Sequence, residues 1–223
     1  MPRTHERRSY QQFCPISRSL DLLGERWTIL IVRELAAGPR RYTDLRDHLP
    51  GMWSNLLAQR LRDLEAAGIV RRAELPPPAA RTVYELTPRG RELVPVLYEL
   101  ARFGLAYLDL PTEDQPLLPH LLPEGIRAMA LIEALPSRPF VAHLALDVGD
   151  YTITVSTTGA PLVERIRVRE GRPAGADVTL RGSLVEMLWV RRGDASLDAT
   201  NITIEGSPRH VAALRDLFDL HER

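Results

Sequence analysis

One stretch in the first half of the chain decides how that half folds, and it reads Pro50-Gly51-Met52-Trp53-Ser54-Asn55-Leu56-Leu57-Ala58-Gln59-Arg60-Leu61-Arg62-Asp63-Leu64-Glu65-Ala66-Ala67-Gly68-Ile69-Val70. Leu57, Leu61 and Leu64 recur at i, i+4 and i+7, which predicts an amphipathic helix over about residues 54–67. Gly68 suits the left-handed cap that ends many helices. The opposite helix face has no acidic side chain and carries Asn55, Gln59, Arg62 and Ala66.

Two strands follow this helix, predicted over residues 69–75 and 81–86, and a proline-rich tip joins them: Pro76-Pro77-Pro78-Ala79-Ala80. Prolines in the tip lack the backbone N–H that another sheet edge would need for pairing. The order helix, strand, tip and strand is that of a winged helix. In such a fold the helix enters the major groove of DNA and the wing touches the neighbouring backbone or minor groove.

Three shorter helices are predicted before this stretch, after a polar arm at residues 1–13. Cys14-Pro15 opens the first helix, because proline suits the first helical turn, and Ile16, Leu20 and Leu23 give it an apolar stripe. The next two helices are predicted over residues 26–37 and 42–49.

A longer helix is predicted after the wing, over roughly residues 88–108, with Thr87 as its cap and Pro88 in its first turn. Its apolar stripe requires a partner. A proline-rich linker over residues 111–123 follows. The predicted domains are therefore residues 1–110, the linker, and residues 124–223.

The second domain is predicted to be α+β, with an antiparallel sheet and helices on one side. Gly149-Asp150 is predicted as a hairpin turn, and Ser183 with Glu186 as a capping box. Ser207-Pro208 is predicted to cap the last helix. Helices are predicted over 124–135, from 183 through 190 and after 208, and strands over 140–148, 151–158, 162–169, 177–180 and 200–204.

Charge is divided unevenly between the halves, although the whole chain has a formal net charge of zero. Residues 1–108 carry 17 arginines against 12 acidic residues, and residues 109–223 carry 12 arginines against 17 acidic residues. A basic half joined to an acidic half indicates that only the first meets a polyanion.

Several classes of protein are disfavoured by the composition. A single cysteine, Cys14, excludes an intrachain disulfide and a zinc finger. No apolar run reaches the roughly 18 residues of a membrane helix, and the polar residues 1–8 lack a signal peptide's apolar segment. We expect a cytoplasmic protein with no metal, no cofactor and no membrane partner.

The first domain resembles the HxlR family of winged-helix regulators, which are related to the MarR type, over roughly residues 10–108. The resemblance rests on Cys14-Pro15-Ile16, Leu22-Leu23-Gly24-Glu25-Arg26-Trp27-Thr28-Ile29-Leu30-Ile31, Gly38-Pro39-Arg40-Arg41-Tyr42-Thr43-Asp44-Leu45-Arg46, Leu49-Pro50-Gly51, Leu57-Ala58-Gln59-Arg60-Leu61-Arg62-Asp63-Leu64-Glu65 and Tyr84-Glu85-Leu86-Thr87-Pro88-Arg89-Gly90. It implies a homodimer that presents two recognition helices to a palindromic operator in double-stranded DNA.

Two positions depart from the family pattern. Trp53 stands where the family usually has serine, and Ala58 stands where it has serine or threonine. These departures predict that the helix cap moves to Ser54 and that the sequence preference differs from the usual one.

The second domain resembles a sterol-carrier-protein-like domain over roughly residues 125–220. The matching residues are Ala176-Asp177-Val178-Thr179-Leu180-Arg181-Gly182-Ser183, Gly193-Asp194-Ala195 and Ile202-Thr203-Ile204-Glu205-Gly206. The resemblance implies a hydrophobic cavity between sheet and helices for a small apolar effector. Candidate lining residues are Met187, Leu188 and Trp189, although such residues are more often core.

DNA contacts are expected from polar side chains of the first domain. Asn55 and Gln59 can read adenine edges, and Arg62 can reach guanine or phosphate. Ser54, at the start of the helix, is a further candidate DNA contact. Contacts to phosphate or minor groove are expected from Arg40, Arg41, Arg60 and Arg81. The alternative is a solvated helix face.

Cys14 is a candidate redox sensor. It lies at a helix start, where the dipole favours a thiolate, and Arg18 could stabilise the anion. The resemblance to the HxlR family implies redox or electrophile sensing, since several members use a cysteine at this place. The alternative is a small buried hydrophobe.

Three functions stay open from the sequence. The preferred one is a DNA-binding regulator whose operator binding responds to an apolar effector in the second domain. Repression is preferred over activation. The second is a regulator that senses oxidants or electrophiles through Cys14, in which the second domain only mediates assembly of the protein. The third is a lipid carrier or an enzyme in the second domain, tethered to DNA by the first domain. The polar candidates for catalysis are His120, His143 and His210. No catalytic motif supports this third function.

Overall fold

The computed structural model describes residues 9–76, 81–109, 112, 117–159 and 162–221. The chain divides into two compact units, residues 1–97 and 98–223. The division falls between Leu97 and Tyr98, within a helix, and therefore earlier than the predicted boundary at residue 110.

The first unit has the predicted order of a winged helix. Its elements are α1 (Pro15–Leu23), α2 (Thr28–Ala36), α3 (Tyr42–His48), α4 (Ser54–Ala66), β1 (Val70–Glu74), β2 (Thr82–Leu86), α5 (Pro88–Arg91) and the start of α6 (Val94–Leu105). The two strands form an antiparallel ribbon whose pairs run from Val70 with Leu86 to Glu74 with Thr82. Tip residues 77–80 lie outside the described part of the chain.

Backbone constraints shorten two predicted helices. The second helix begins at Thr28 and not at residue 26, because Trp27 has a φ of 79°, in the left-handed region. The long helix predicted over residues 88–108 is two helices, α5 and α6. Pro95 lacks the N–H that a continuous helix would donate to Arg91, so the chain turns before α6 begins.

The core of the first unit joins the helices to the wing. Ile31 of α2, Leu45 of α3 and the three leucines predicted for α4 are almost completely buried. Thr87 caps α5 as predicted, since its hydroxyl accepts a hydrogen bond from the Gly90 N–H at 3.0 Å.

The second unit contains a five-stranded sheet with helices. After the remainder of α6 its elements are α7 (Leu122–Met129), β3 (Phe140–Leu146), β4 (Gly149–Val155), β5 (Ile166–Glu170), β6 (Val178–Gly182), α8 (Leu184–Arg192), β7 (Thr203–Gly206) and α9 (Pro208–Phe218), with short 3-10 helices at Pro119–Leu121, Ile132–Ala134, Leu162–Arg165 and Leu197–Ala199.

The sheet is mixed, which corrects the prediction of an antiparallel one. The strand order is β5-β4-β3-β6-β7, and β3 pairs with β6 in parallel. The predicted alternation fixes which side chains share a face but not the direction of pairing. The buried face carries Phe140, Ala142, Leu144, Tyr151, Ile153, Val155, Ile166, Val178 and Leu180.

Two local predictions for this unit were wrong, the position of the hairpin turn and the capping box, whereas the predicted Ser183 cap is present. The hairpin turn lies at residues 147–148, and Gly149 already begins β4. Ser183 caps α8 by accepting from the Val185 N–H at 3.2 Å. The Glu186 carboxylate does not close a capping box, because it accepts from the Asn201 N–H instead.

Four predicted segments have other boundaries. The linker over residues 111–123 ends in a 3-10 helix and the start of α7, and the helix predicted to residue 135 ends at Met129. The strand predicted over 162–169 begins as a 3-10 helix, and the last strand begins at Thr203. The predicted Ser207 cap is present and accepts from the His210 N–H at 3.4 Å.

In the described part of the chain, no helix combines the length and the apolar character that a membrane span requires.

Candidate nucleic-acid interface

Helix α4 presents a polar face whose position is fixed by its buried leucines. Leu57, Leu61 and Leu64 are at most 1% exposed. On the other side, Asn55 and Arg62 are exposed and Gln59 is half-buried. The buried stripe prevents the helix from rotating, so the polar face points outward.

The start of α4 differs from the prediction that Ser54 would be its cap. Trp53 occupies the N-cap position and Ser54 is the first helical residue. The backbone carbonyl of Ser54 accepts a hydrogen bond from the Tyr42 hydroxyl at 2.7 Å, which ties α4 to α3. Trp53 is 78% exposed.

Trp53 is a candidate contact that the sequence reasoning did not select. The available signal was an aromatic residue directly before the polar helix, where the resemblance implied a small polar one. Because the indole lies beside exposed Ser54 and Asn55, it enlarges the outward face with an apolar surface.

Gln59 and Arg62 are linked by hydrogen bonds along α4. Arg62 donates through Nη2 to Oε1 of Gln59 at 2.7 Å. Gln59 donates through Nε2 to Oδ1 of Asp63 at 2.9 Å. The amide of Gln59 must therefore exchange these partners before it can read a base.

The Arg60 side chain is largely covered and is held by two carboxylates. Its side chain is 17% exposed, and Nη2 lies 2.6 Å from Oε2 of Glu25. Nη1 lies 3.5 Å from Oδ2 of Asp63. This placement differs from the predicted phosphate contact, because the guanidinium already has two carboxylate partners.

The other predicted arginines lie around α3 and the wing. Arg40 is half-buried and its backbone exchanges two hydrogen bonds with Tyr84 of β2, at 3.0 and 2.7 Å. Arg41 pairs with Asp44 at 2.6 Å, which raises the pKa of Arg41 and lowers the pKa of Asp44. Arg81 is exposed directly before the second wing strand.

Cys14 is half-buried directly before α1. The backbone N–H groups of Ser17 and Ile16, together with the Ser17 hydroxyl, lower the pKa of the Cys14 thiol. Arg18 does not assist the thiolate as predicted. Its guanidinium lies 3.5 Å from the Asp21 carboxylate.

The three residues predicted to line a ligand cavity are dispersed in the second unit. Met187 is completely buried in the core, and Trp189 is 37% exposed. Leu188 lines an apolar groove of about 200 Å³ among α6, α7 and α8. This groove lies between helices, whereas the resemblance implied a cavity between sheet and helices.

The three histidines considered for catalysis are placed separately. Nε2 of His143 lies 2.6 Å from Oδ1 of Asp150, and this contact lowers the pKa of Asp150. Nδ1 of His210 lies 3.1 Å from the Ser207 hydroxyl. His120 is half-buried in a 3-10 helix. His143 is almost completely buried on β3, which agrees with a structural histidine.

Known proteins are similar to the first unit. A family model described as HxlR-like helix-turn-helix matches residues 22–111. An uncharacterised HTH-type transcriptional regulator of Synechocystis is 45% identical over 96 residues, which cover 43% of this chain and 71% of that protein. The chain belongs to the HxlR-like helix-turn-helix family.

Two further relatives come from Bacillus subtilis. The uncharacterised HTH-type transcriptional regulator YvaP is 33% identical over 99 residues, covering 44% of this chain and 92% of YvaP. The HTH-type transcriptional regulator YodB is 36% identical over 88 residues, covering 39% of this chain and 79% of YodB. The family model ends at residue 111, so the relationship concerns the winged helix.

Proposed function

We propose that this chain is a DNA-binding transcriptional regulator, a repressor that binds a palindromic operator as a homodimer. The observation that carries the proposal is the outward polar face of α4, held in place by three buried leucines beside a two-stranded wing. The family relationship supports it, since the similar proteins are named HTH-type transcriptional regulators.

In this proposal α4 enters the major groove. Asn55 pairs with an adenine edge and Arg62 with guanine or phosphate. Trp53 packs against sugar or a thymine methyl group at the same end of the helix. Arg41 and Arg81 contact the backbone and set the register. Arg60 is left out of the contact set because of its carboxylate partners.

Exposed apolar side chains support the homodimer. Helix α1 and the segment before it expose Phe13, Ile16 and Leu20, and α6 and its end expose Leu100, Phe103, Tyr107 and others. An apolar surface on a helix is stabilised when a second copy covers it. A symmetric dimer then places two α4 helices for half-sites roughly 34–36 Å apart.

The second unit is proposed to hold a small apolar effector. Support comes from the apolar groove among α6, α7 and α8, which is lined by Leu105, Leu122, Met129, Leu184, Leu188 and others. An effector that binds one dimer geometry better shifts the population toward it, and operator affinity changes accordingly. The resemblance of the second domain to a sterol-carrier-protein-like domain is part of this proposal, because it implies a cavity for an apolar ligand.

The test is fluorescence anisotropy of the full chain on its own upstream intergenic DNA, with scrambled DNA as the control, at two salt concentrations. We expect tight binding to the upstream fragment alone. Equal binding to both fragments that disappears with salt would reduce the interaction to counterion release and contradict the proposal.

Matched variants place the contact on α4. Asn55→Ala should weaken upstream binding by about tenfold, since a base contact contributes about 1–3 kcal/mol. Trp53→Ala should weaken it without changing thermal stability, because the side chain is exposed. Arg209→Ala, which removes an exposed arginine from α9 of the second unit, should leave DNA binding unchanged.

A second candidate function is sensing through Cys14, favoured by the lowered pKa of its thiol. Alkylation by iodoacetamide should reach half its maximal rate at a pH below the ordinary thiol pKa of about 8.5. Oxidant should then change operator binding of the native protein and not of Cys14→Ser. An ordinary alkylation profile, or an unchanged oxidant response in Cys14→Ser, would contradict this function.

A further inference from the structure

The sheet of the second unit buries one face in the core and turns a row of arginines to the other. On β5, Arg167 and Arg169 alternate with the inward-facing Ile166 and Val168, so both arginines point away from the core. On β6, Arg181 follows the buried Leu180 and points the same way. All three arginines are exposed. The side of the sheet to which they point is called the open face.

These three guanidinium groups are available to a ligand. Arg167, Arg169 and Arg181 make no hydrogen bond and no ion pair with any residue that the structure describes. The arginines considered in the first unit differ, since Arg41 and Arg60 each pair with a carboxylate. An exposed guanidinium without a carboxylate partner can bind an anion without first giving up another contact.

The carboxylates near the open face do not neutralise its β5 side. Asp150 already lies 2.6 Å from His143 and 3.7 Å from Arg172. Asp177, directly before β6, accepts from a backbone N–H of β3 at 2.8 Å. Glu205 is on β7, at the opposite edge of the sheet and four strand spacings from β5, which is about 19 Å. The β5 side is therefore positive, although residues 109–223 carry 12 arginines against 17 acidic residues.

The spacing of the arginines indicates an extended anion. Arg167 and Arg169 are two residues apart, about 6.6 Å along β5, and Arg181 lies three strand spacings away, at about 14 Å. One small anion does not reach both strands. Duplex DNA carries one negative charge per roughly 1.7 Å of helix axis, and thus about eight charges over 14 Å.

The side chains between the arginines favour a duplex over a single strand. Thr154 of β4 lies opposite Arg167 and is exposed, and threonine hydroxyls contact phosphates in many protein–DNA complexes. The aromatic residues of the described strands, Phe140 and Tyr151, are both buried in the core. Single-stranded nucleic acid binds through bases stacked on aromatic side chains, and the strands offer none on the open face.

We propose that the open face binds the phosphate backbone of duplex DNA through Arg167, Arg169 and Arg181. The contact is independent of sequence, because phosphates carry no base information. The choice of DNA as the polyanion rests on the proposed function, in which the first unit holds a duplex and so raises its effective concentration at the second unit. The proposal departs from the expectation that only the first domain meets a polyanion, since the net charge of the second half averages over its faces.

The test is fluorescence anisotropy of the full chain on the scrambled duplex and on the upstream duplex, over a series of salt concentrations. The variant combines Arg167→Gln, Arg169→Gln and Arg181→Gln. On a double logarithmic plot of affinity against salt, each lost phosphate contact should reduce the slope by about 0.9. Affinity for the two duplexes should fall by the same factor, and the melting temperature should not change, because the three side chains are exposed.

A matched pair of single variants separates the open face from net charge. Arg169→Gln should reduce the slope by about 0.9 per bound chain. Arg209→Gln removes the same charge from an exposed arginine of α9. That helix lies on the buried face, where His210 stacks on Phe140. We expect Arg209→Gln to keep the native slope.

A native slope in the triple variant would overturn the contact, and so would an equal loss in Arg169→Gln and Arg209→Gln. Sedimentation velocity without DNA identifies the other occupant. A native slope together with weaker self-association of the triple variant would assign the open face to an acidic surface of a second copy. Equal binding of the native protein to both duplexes, with a slope that depends on these arginines, would overturn the proposed function and leave this contact standing.

Discussion

Helices α1 and α4 carry the same apolar spacing and use it differently. In α4, Leu57, Leu61 and Leu64 are at most 1% exposed. In α1, Ile16 is 71% exposed and Leu20 is 44% exposed. The repeat at i, i+4 and i+7 therefore predicts a helix with an apolar stripe in both cases, but it does not predict what covers the stripe.

The difference indicates where each helix obtains its stability. Burial of a large aliphatic side chain contributes about 1.5–3 kcal/mol relative to exposure. Helix α4 has this contribution from its own unit. Helix α1 leaves most of this stabilisation to a contact outside the single chain, and Phe13, two residues before the helix begins, is also completely exposed. A second copy of the chain is the partner that the proposed function supplies.

The largest expected effect comes from truncating the buried stripe. Leu61→Ala should lower the free energy of unfolding by about 2–5 kcal/mol, because it leaves a cavity under α4. Urea denaturation at a protein concentration low enough to keep the chain monomeric measures this. Leu20→Ala makes the same change on α1 and should have little effect there. Equal losses in the two variants would remove the contrast between the helices.

The next effect concerns self-association. Ile16→Glu places a charge in the exposed stripe of α1, and we expect the dimer to weaken by about 2 kcal/mol, or about thirtyfold, with an unchanged monomer. Sedimentation velocity over a dilution series gives the dissociation constant. Arg18→Ala, on the opposite face of α1, is the control. If Ile16→Glu dimerises as well as the control, α1 does not form the interface.

The winged-helix order could be predicted from the sequence because its signals are local. Leucine spacing, Gly68 and Thr87-Pro88 each act within a few residues of the element that they define. The ion pairs of Arg60 could not be predicted in this way. Its partner Glu25 is 35 residues earlier, and the helical repeat alone places Arg60 on the flank between the apolar and polar faces.

In the second unit, too, the features that depend on residues distant in sequence could not be predicted. Alternating residues correctly identified strands at β3 and β4, yet the parallel pairing of β3 with β6 depends on where the chain returns after β5. Met187 and Leu188 are neighbours in sequence, and one is core while the other lines the groove. Side chains on one helix reach different surroundings, so the apolar sequence alone did not locate a ligand site.

The smallest expected effect belongs to α3, which buries only Leu45 and is held at its start by polar contacts. The Asp44 carboxylate accepts from the Arg41 N–H at 2.9 Å and pairs with the Arg41 guanidinium. Asp44→Asn should lower the free energy of unfolding by about 0.5 kcal/mol at neutral pH, as expected for an ion pair in contact with solvent.

The pH dependence distinguishes this contact from burial. Because Arg41 lowers the pKa of Asp44 in the folded chain, the contribution is complete above the unfolded value of about 3.9 and disappears as the pH falls through the folded pKa. The difference between the native protein and Asp44→Asn should therefore vanish in acid, whereas the loss in Leu61→Ala should persist wherever the chain still folds. Denaturation curves at neutral pH and at a series of pH values falling below about 3.9 measure both. A constant difference for Asp44→Asn would show that its side chain acts through packing, in the way that the α4 stripe does.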